Sequence, residues 1–175
     1  MTGSIIRNAA PTDMAAITAI YRPAVVDGTA SFELEPPDEA EMRRRYVVIV
    51  AGGYPYIVAE IGGRVVGFAY ANAFRPRPAY RFSVENSIYV APDAQRQGIG
   101  QALLAALIER ATANSYRQMI AVIGDSGQAG SIGLHRAHGF TFCGTIHSVG
   151  YKHGRWLDSV LMQRALGPGD SAAPG

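Results

Sequence analysis

A chain of 175 residues, 48% of them hydrophobic, can fill one sizeable core, and no run of about 18 uninterrupted apolar residues marks it for a membrane. Sixteen basic against fourteen acidic residues leave a formal charge of +2, with arginines gathered only at 43–45 and around 75–81; this argues against a nucleic-acid-binding stripe and for local anion contacts. The single cysteine, Cys143, excludes an intramolecular disulfide, and the first residues, MTGSIIRNAAPTD, lack a signal-peptide pattern, so a soluble cytoplasmic protein is expected.

In chain order, SIIRNA (4–9) reads as a short strand, and Thr12 opens a helical pattern through Met14, Ile17 and Ile20, with Asp13 favourable in its first turn. Pro23 suits the first turn of a second short helix. The stretch from Asp27 begins irregular, turns helical near Asp38 and stops before Gly52 and Gly53. YIVAEIGGRVVGFAYANAF (56–74) reads as two strands about a Gly62-Gly63 hairpin turn. RFSVENSIYV (81–90) is a further strand, GIGQALLAALIERATANS (98–115) a helix and QMIAVIG (118–124) a strand. SIGLHRAHGF (131–140) is a short helix closed at Gly139, and TFCGTIHSVG (141–150) and WLDSVLMQRAL (156–166) are closing strands. The order predicts a mixed α/β (α+β) fold over residues 1–166, with a mostly antiparallel sheet of about six to seven strands flanked by helices on both faces. GPGDSAAPG (167–175) is expected to be a flexible tail.

VAPDAQRQGIGQALL (90–104) carries the most chemistry. The first amides of a helix have no intrahelical acceptor and carry partial positive charge, so they bind anions wherever side chains leave room. Gly98 and Gly100 leave that room, Leu103, Leu104, Leu107, Ile108 and Ala111 anchor the helix, and Arg96 adds a fork for phosphate. A Walker A loop fails here, because Gln101 and Ala102 follow Gly100. A dinucleotide fingerprint fails as well, because Leu103 stands where a third small residue is needed. GDSG (124–127) copies a serine-protease string, but every histidine follows Ser126, contrary to that family's order, and it reads as a loop.

Gln95-x-x-Gly98-x-Gly100, behind the strand SIYV and ahead of a long amphipathic helix, resembles the acyl-coenzyme A pyrophosphate loop of the GCN5-related N-acetyltransferase (GNAT) superfamily. Within it, SVENSIYV, AVIG, SIGLHRAHGF and VGYKHGRWLD are similar to segments of the phosphinothricin and methionine sulfoximine/sulfone acetyltransferases, and the resemblance spans about residues 4–166. It implies acetyl transfer from acetyl-CoA, without a metal, to the α-amine of a small amino-acid analogue by a homodimer. The pantetheine arm is then expected along the main chain of Ile88, Tyr89 and Val90. The same resemblance sets the diphosphate against the loop formed by Gln95, Arg96, Gln97, Gly98, Ile99, Gly100 and Gln101. Gln128 stands where the superfamily usually has a pantetheine-binding asparagine.

Alternation along SVENSIYV puts Ser83, Glu85, Ser87 and Tyr89 on one face and Val84, Asn86, Ile88 and Val90 on the other. A carboxylate inside a covered sheet is costly unless it is bonded or faces a wet cleft, so Glu85 is either a structural partner or a general base. The resemblance implies the base, with Asn86 and Ser87 beside it at the acceptor. Arg75 and Arg77, with Tyr80, lie in a proline-rich loop upstream; their forks suit carboxylate and phosphinate-like groups, and a solvated basic loop is the alternative. Phe32 matches a segment lining the family's acceptor pocket. His135 stands where the superfamily often has the tyrosine that protonates the departing thiolate, the alternative being a core or capping histidine. His135 and His138 lack companions for a metal set. Cys143 reads as core, not as an acyl carrier. Two other functions stay open: the same transfer to another small amine, and an acyl-CoA-binding sensor without turnover. Tyr151, Trp156 and the basic residues of GYKHGRWLD suit an interface.

Overall fold

The computed structural model describes residues 3–174. It contains β1 (Ile5–Asn8), α1 (Met14–Val26), α2 (Glu39–Ala51), β2 (Tyr56–Ile61), β3 (Arg64–Ala73), β4 (Ser83–Val90), α3 (Ile99–Ala113), β5 (Gln118–Gly124), α4 (Ala129–Ala137), β6 (Thr141–Lys152) and β7 (Arg155–Ala165). The strands form one seven-stranded sheet in the order β1-β2-β3-β4-β5-β7-β6, antiparallel throughout except for the parallel pair β4 and β5. No helix among the described residues is long and apolar enough to cross a membrane.

Alternation on β3 explains how the helices divide. Gly67 lies against Leu103 and Ile99 of α3, and a Cβ built on it would stand 3.0 Å from Leu103 Cδ1 and 3.1 Å from the Tyr89 carbonyl. Small residues on that face let α3 sit close to the sheet. Phe68 and Tyr70 project to the other face, where Phe68 stacks with Tyr56 and meets Tyr21 of α1 edge-on. The face of α1 and α2 is therefore aromatic, and that of α3 is aliphatic, with Leu103, Leu104 and Leu107 fully buried.

One expected boundary is corrected. Pro23 opens no second helix; it lies inside α1, which continues to Val26. A proline in the last turn forfeits one backbone bond where few remain to be made, so the helix tolerates it. Gly62 and Gly63 take left-handed φ values of 57° and 80° in the β2–β3 turn, as the hairpin signal requires. Residues 167–170 form a turn, and Arg117 donates to the carbonyls of Gly169 and Ala173.

Candidate active site

The site begins where two parallel strands stop pairing. β4 and β5 are joined only from Ser83 to Asn86 against Gln118 to Ala121; beyond that rung each remains bonded on its other edge, β4 to β3 as far as Val90 and β5 to β7 as far as Gly124. The strands thus separate into a gap whose β4 side offers main-chain groups without a neighbour on that edge. A cleft of about 900 Å³ occupies it, bounded by residues 86–90 of β4, 121–124 of β5, the start of α3, and α4.

α3 enters this cleft by its amino end. Gly98 caps the helix with φ 81°, and the first intrahelical bond runs from the Ala102 amide to the Gly98 carbonyl at 3.0 Å, so the ladder leaves amides 98–101 unused. A Cβ at Gly98 would meet nothing within 4 Å, so this glycine is needed for its left-handed backbone, not for space. At Gly100 a Cβ would lie 3.4 Å from Leu134 Cδ2, an ordinary contact. Arg96 also has positive φ, at 59°. Of the residues expected to hold the cofactor, Ile88, Tyr89, Val90, Gln95, Arg96, Gly98, Ile99, Gly100, Gln101 and Gln128 line the cleft. Gln97 does not: its side-chain amide donates to the Asp93 carbonyl at 3.0 Å. Gln128 Nε2 donates to Thr29 Oγ1 at 2.9 Å, tying the start of α4 to the loop after α1.

Asn86 sits at the apex, on the last paired rung. Its amide donates across to the Ile120 carbonyl at 3.3 Å, and its oxygen faces His135 Nε2 at 3.0 Å. His135 is only 4% exposed, and its Nδ1 lies 2.8 Å from the Ser131 carbonyl. A neutral imidazole has one N–H, so it donates either to the Asn86 oxygen or to the Ser131 carbonyl, and the contact with Asn86 ties α4 to β4. Burial holds this imidazole below the ordinary histidine value, with the Ser131 carbonyl acting the other way.

Glu85 lies one residue earlier and on the opposite face, with Ser87 and Tyr89; Tyr89 packs edge-on to Tyr21 at 4.8 Å. Its carboxyl makes no hydrogen bond to any described residue, and burial raises its pKa, partly opposed by the charge of Arg75. Glu85 and His135 therefore flank the gap from opposite sides of the sheet. Arg75, Arg77 and Tyr80 are exposed in the β3–β4 connection, where Tyr80 meets Phe74 edge-on and the Arg75 guanidinium lies over the Phe74 ring. Of the residues expected at the acceptor, only Asn86 and Ser87 line the cleft itself; Glu85, Phe32, Arg75, Arg77 and Tyr80 stand outside its wall.

The last turn of α1 and the loop after it supply wall residues that the sequence did not single out. Pro23, Ala24, Gly28 and Ala30 close the cleft on the α1 side. Phe32 lies across β5 and β6, and Cβ atoms at Gly124 and Gly150 would come within 2.8 Å and 2.5 Å of its ring. The two glycines are the signal for that close approach, readable only once β5 and β6 are placed on either side of β7. Lys152, buried, donates to the Ser31 carbonyl at 2.7 Å, while Tyr21 bonds Ser31 Oγ and Glu33, fixing the loop that carries Phe32. No group of three or more His, Cys, Asp or Glu is gathered for a metal among the described residues.

The comparisons with known proteins point to one family. A family model described as an acetyltransferase (GNAT) domain matches residues 6–161. A phosphinothricin N-acetyltransferase of Alcaligenes faecalis is 54% identical over 93% of this chain and 82% of its own. An L-methionine sulfoximine/L-methionine sulfone acetyltransferase of Pseudomonas paraeruginosa is 44% identical over 95% of this chain and 97% of its own. Among solved structures, a phosphinothricin acetyltransferase from Sinorhizobium meliloti in complex with AcCoA superposes with a TM-score of 0.96 at 51% identity, covering 100% of this chain and 94% of that one.

Proposed function

The chain belongs to the GNAT acetyltransferases, and from that premise we propose that it moves the acetyl group of acetyl-CoA to the α-amine of a small amino-acid analogue such as phosphinothricin, methionine sulfoximine or methionine sulfone. The observation that carries the proposal is the gap between β4 and β5 with the amino end of α3 at its mouth. The amides of 98–101, with Arg96, suit a diphosphate. The free edge of Ser87 to Val90 suits the pantetheine arm as an added strand. The 900 Å³ of the cleft is ample for such an arm. The relatives' names supply the acceptor class.

Glu85 takes a proton from the acceptor's ammonium, directly or through a water, and the nitrogen attacks the thioester carbon. A base of raised pKa without a hydrogen-bond partner suits that task. A main-chain amide of the β4 edge stabilises the oxyanion as the tetrahedral intermediate forms. His135, on the far side of the gap, is our candidate for protonating the thiolate; to do so it must release Asn86. Arg75, Arg77 and Tyr80 hold the acceptor's carboxylate and its second polar group, with Phe32, Asn86 and Ser87 completing its surroundings. Both substrates bind together, and no covalent enzyme intermediate forms.

β6 is the edge strand of the sheet, and Phe142, Ile146, Val149, Tyr151 and Trp156 stand exposed on it and on β7. So long an exposed edge with aromatic side chains is best covered, and a homodimer through this edge completes our reading. Cys143, expected in the core, is instead exposed on the edge strand β6, and with the single cysteine free a reducing cytoplasm suits the protein. The test is free-thiol release from acetyl-CoA with the three named acceptors and other small amines. Release with the named acceptors is expected. Release only with other amines moves the acceptor class, and tight CoA binding with no release favours a sensor.

A further inference from the structure

Asn72, on β3, is the cross-strand partner of Glu85 on β4. Directly opposed residues of antiparallel strands leave the sheet on the same face, with Cβ atoms about 5 Å apart. The Asn72 side-chain oxygen is shut off from solvent and has no hydrogen-bond partner; among the described residues it is the only buried side-chain polar atom in that condition. An oxygen stripped of water without a donor in exchange is costly, and native chains seldom keep one without a reason. Two donors of the cavity wall are committed elsewhere. The Arg45 guanidinium is spent on Glu33 and Glu41, and the Tyr21 hydroxyl on Ser31 and Glu33. Asn72 faces a second cavity, of about 460 Å³, whose wall includes Tyr21, Tyr56, Phe68 and Tyr70. The oxygen itself lies behind that wall, so a small molecule carrying its own N–H donors meets it when the carboxamide turns toward the cavity.

We propose that Asn72 is an acceptor-binding residue, whose carboxamide oxygen takes a hydrogen bond from the incoming amine while Glu85, its partner across the rung, takes the proton. The assignment rests on the reading of Glu85 as base. An ammonium brings three N–H groups. One proton passes to Glu85, and the freed lone pair forms the C–N bond to the acetyl carbon. Collapse of the intermediate breaks the C–S bond, and the surplus proton on nitrogen leaves as the thiolate becomes the thiol. The third N–H remains in the product amide, and it is the one that Asn72 holds. A primary amine satisfies this scheme; an N-methyl amine has no N–H left for Asn72.

Steady-state kinetics of the wild type, Asn72→Ala and Asn72→Ser with acetyl-CoA, methionine sulfone and N-methyl-methionine sulfone test the assignment. In both variants kcat/KM for the primary acceptor should fall about 10- to 100-fold. The KM for acetyl-CoA and the acidic limb of the pH profile should stay in place, and Tm should hold or rise, because a buried unpaired group is removed. The preference for the primary over the N-methyl acceptor should shrink in both variants. Unchanged acceptor kinetics overturn the assignment. So does a drop of several degrees in Tm with both KM values altered, which marks a structural residue, or a shifted acidic limb with acceptor KM intact, which marks a partner of Glu85 alone. If the wild type acetylates neither the sulfone nor any other amine, the reading of the site fails and the assignment with it. Full activity of Glu85→Gln, by contrast, removes the base while leaving an Asn72-dependent acceptor KM in evidence.

Discussion

Glu85 and Asn72 form one rung of the β3–β4 ladder; the Asn72 oxygen is buried without a partner, and the half-buried Glu85 carboxyl makes no hydrogen bond to any described residue. Glu85→Gln preserves shape and removes the proton acceptor, so kcat should fall about 10²- to 10³-fold while CoA affinity, measured by calorimetry, stays within twofold. Unaltered turnover would take Glu85 out of the mechanism. The pH dependence follows from the sign of the shift. A base works only when ionised, and burial raises the pKa of this carboxyl, so kcat/KM should decline on the acid side above the ordinary carboxylate range. That limb should be missing from whatever activity Glu85→Gln retains. The strand SVENSIYV made Glu85 legible, because alternation put a carboxylate in a covered sheet. Asn72 was not legible. An asparagine near the end of an apolar strand carries no sign of whether its oxygen will find a donor, since that depends on what α2 and β4 place around it.

The elements that matter most are α3, α4 and the short rung between β4 and β5. Gly98 sits at φ 81°, where any side chain is strained, so Gly98→Ala should cost about 1–2 kcal/mol and weaken CoA binding by the disturbed helix entry. Gly100→Ala meets only an ordinary contact with Leu134 and should cost the fold less, which denaturant titration of the two variants distinguishes. His135 pins α4 to Asn86. His135→Phe leaves the buried Asn86 oxygen without that partner and should destabilise by about 1–3 kcal/mol. The folded state binds a proton on His135 less well than the unfolded chain does. Its contribution is therefore complete above the ordinary value of 6.5 and is lost as pH falls through the lower folded value. The wild type should lose stability over that window more steeply than His135→Phe; parallel curves would contradict it. Element type was readable along most of the chain, since the apolar periods of 98–115 and 118–124 match α3 and β5. The splaying of β4 from β5 was not readable. It depends on which rungs pair, and both strands carry apolar residues past the point where pairing stops.

At the scale of the whole molecule, the sheet divides the chemistry. The mouth of the cleft at α3 and the His135 side lie on one face, Glu85 and the aromatic cavity on the other, and the gap between β4 and β5 opens where their pairing stops. The exposed edge at β6 belongs to the same scale. Light scattering should give twice the chain mass, and Trp156→Glu, placing a charge amid Tyr151 and its neighbours, should shift the protein toward the monomer. A wild-type monomer at working concentration would contradict the dimer. The central claim concerns the gap itself, and a crystal structure with acetyl-CoA bound tests it most directly. The account predicts the diphosphate within hydrogen-bond distance of amides 98–101 and the thioester carbon between Glu85 and the β4 edge. A diphosphate seated anywhere else, or a thioester on the far side of α4 from that edge, would contradict it.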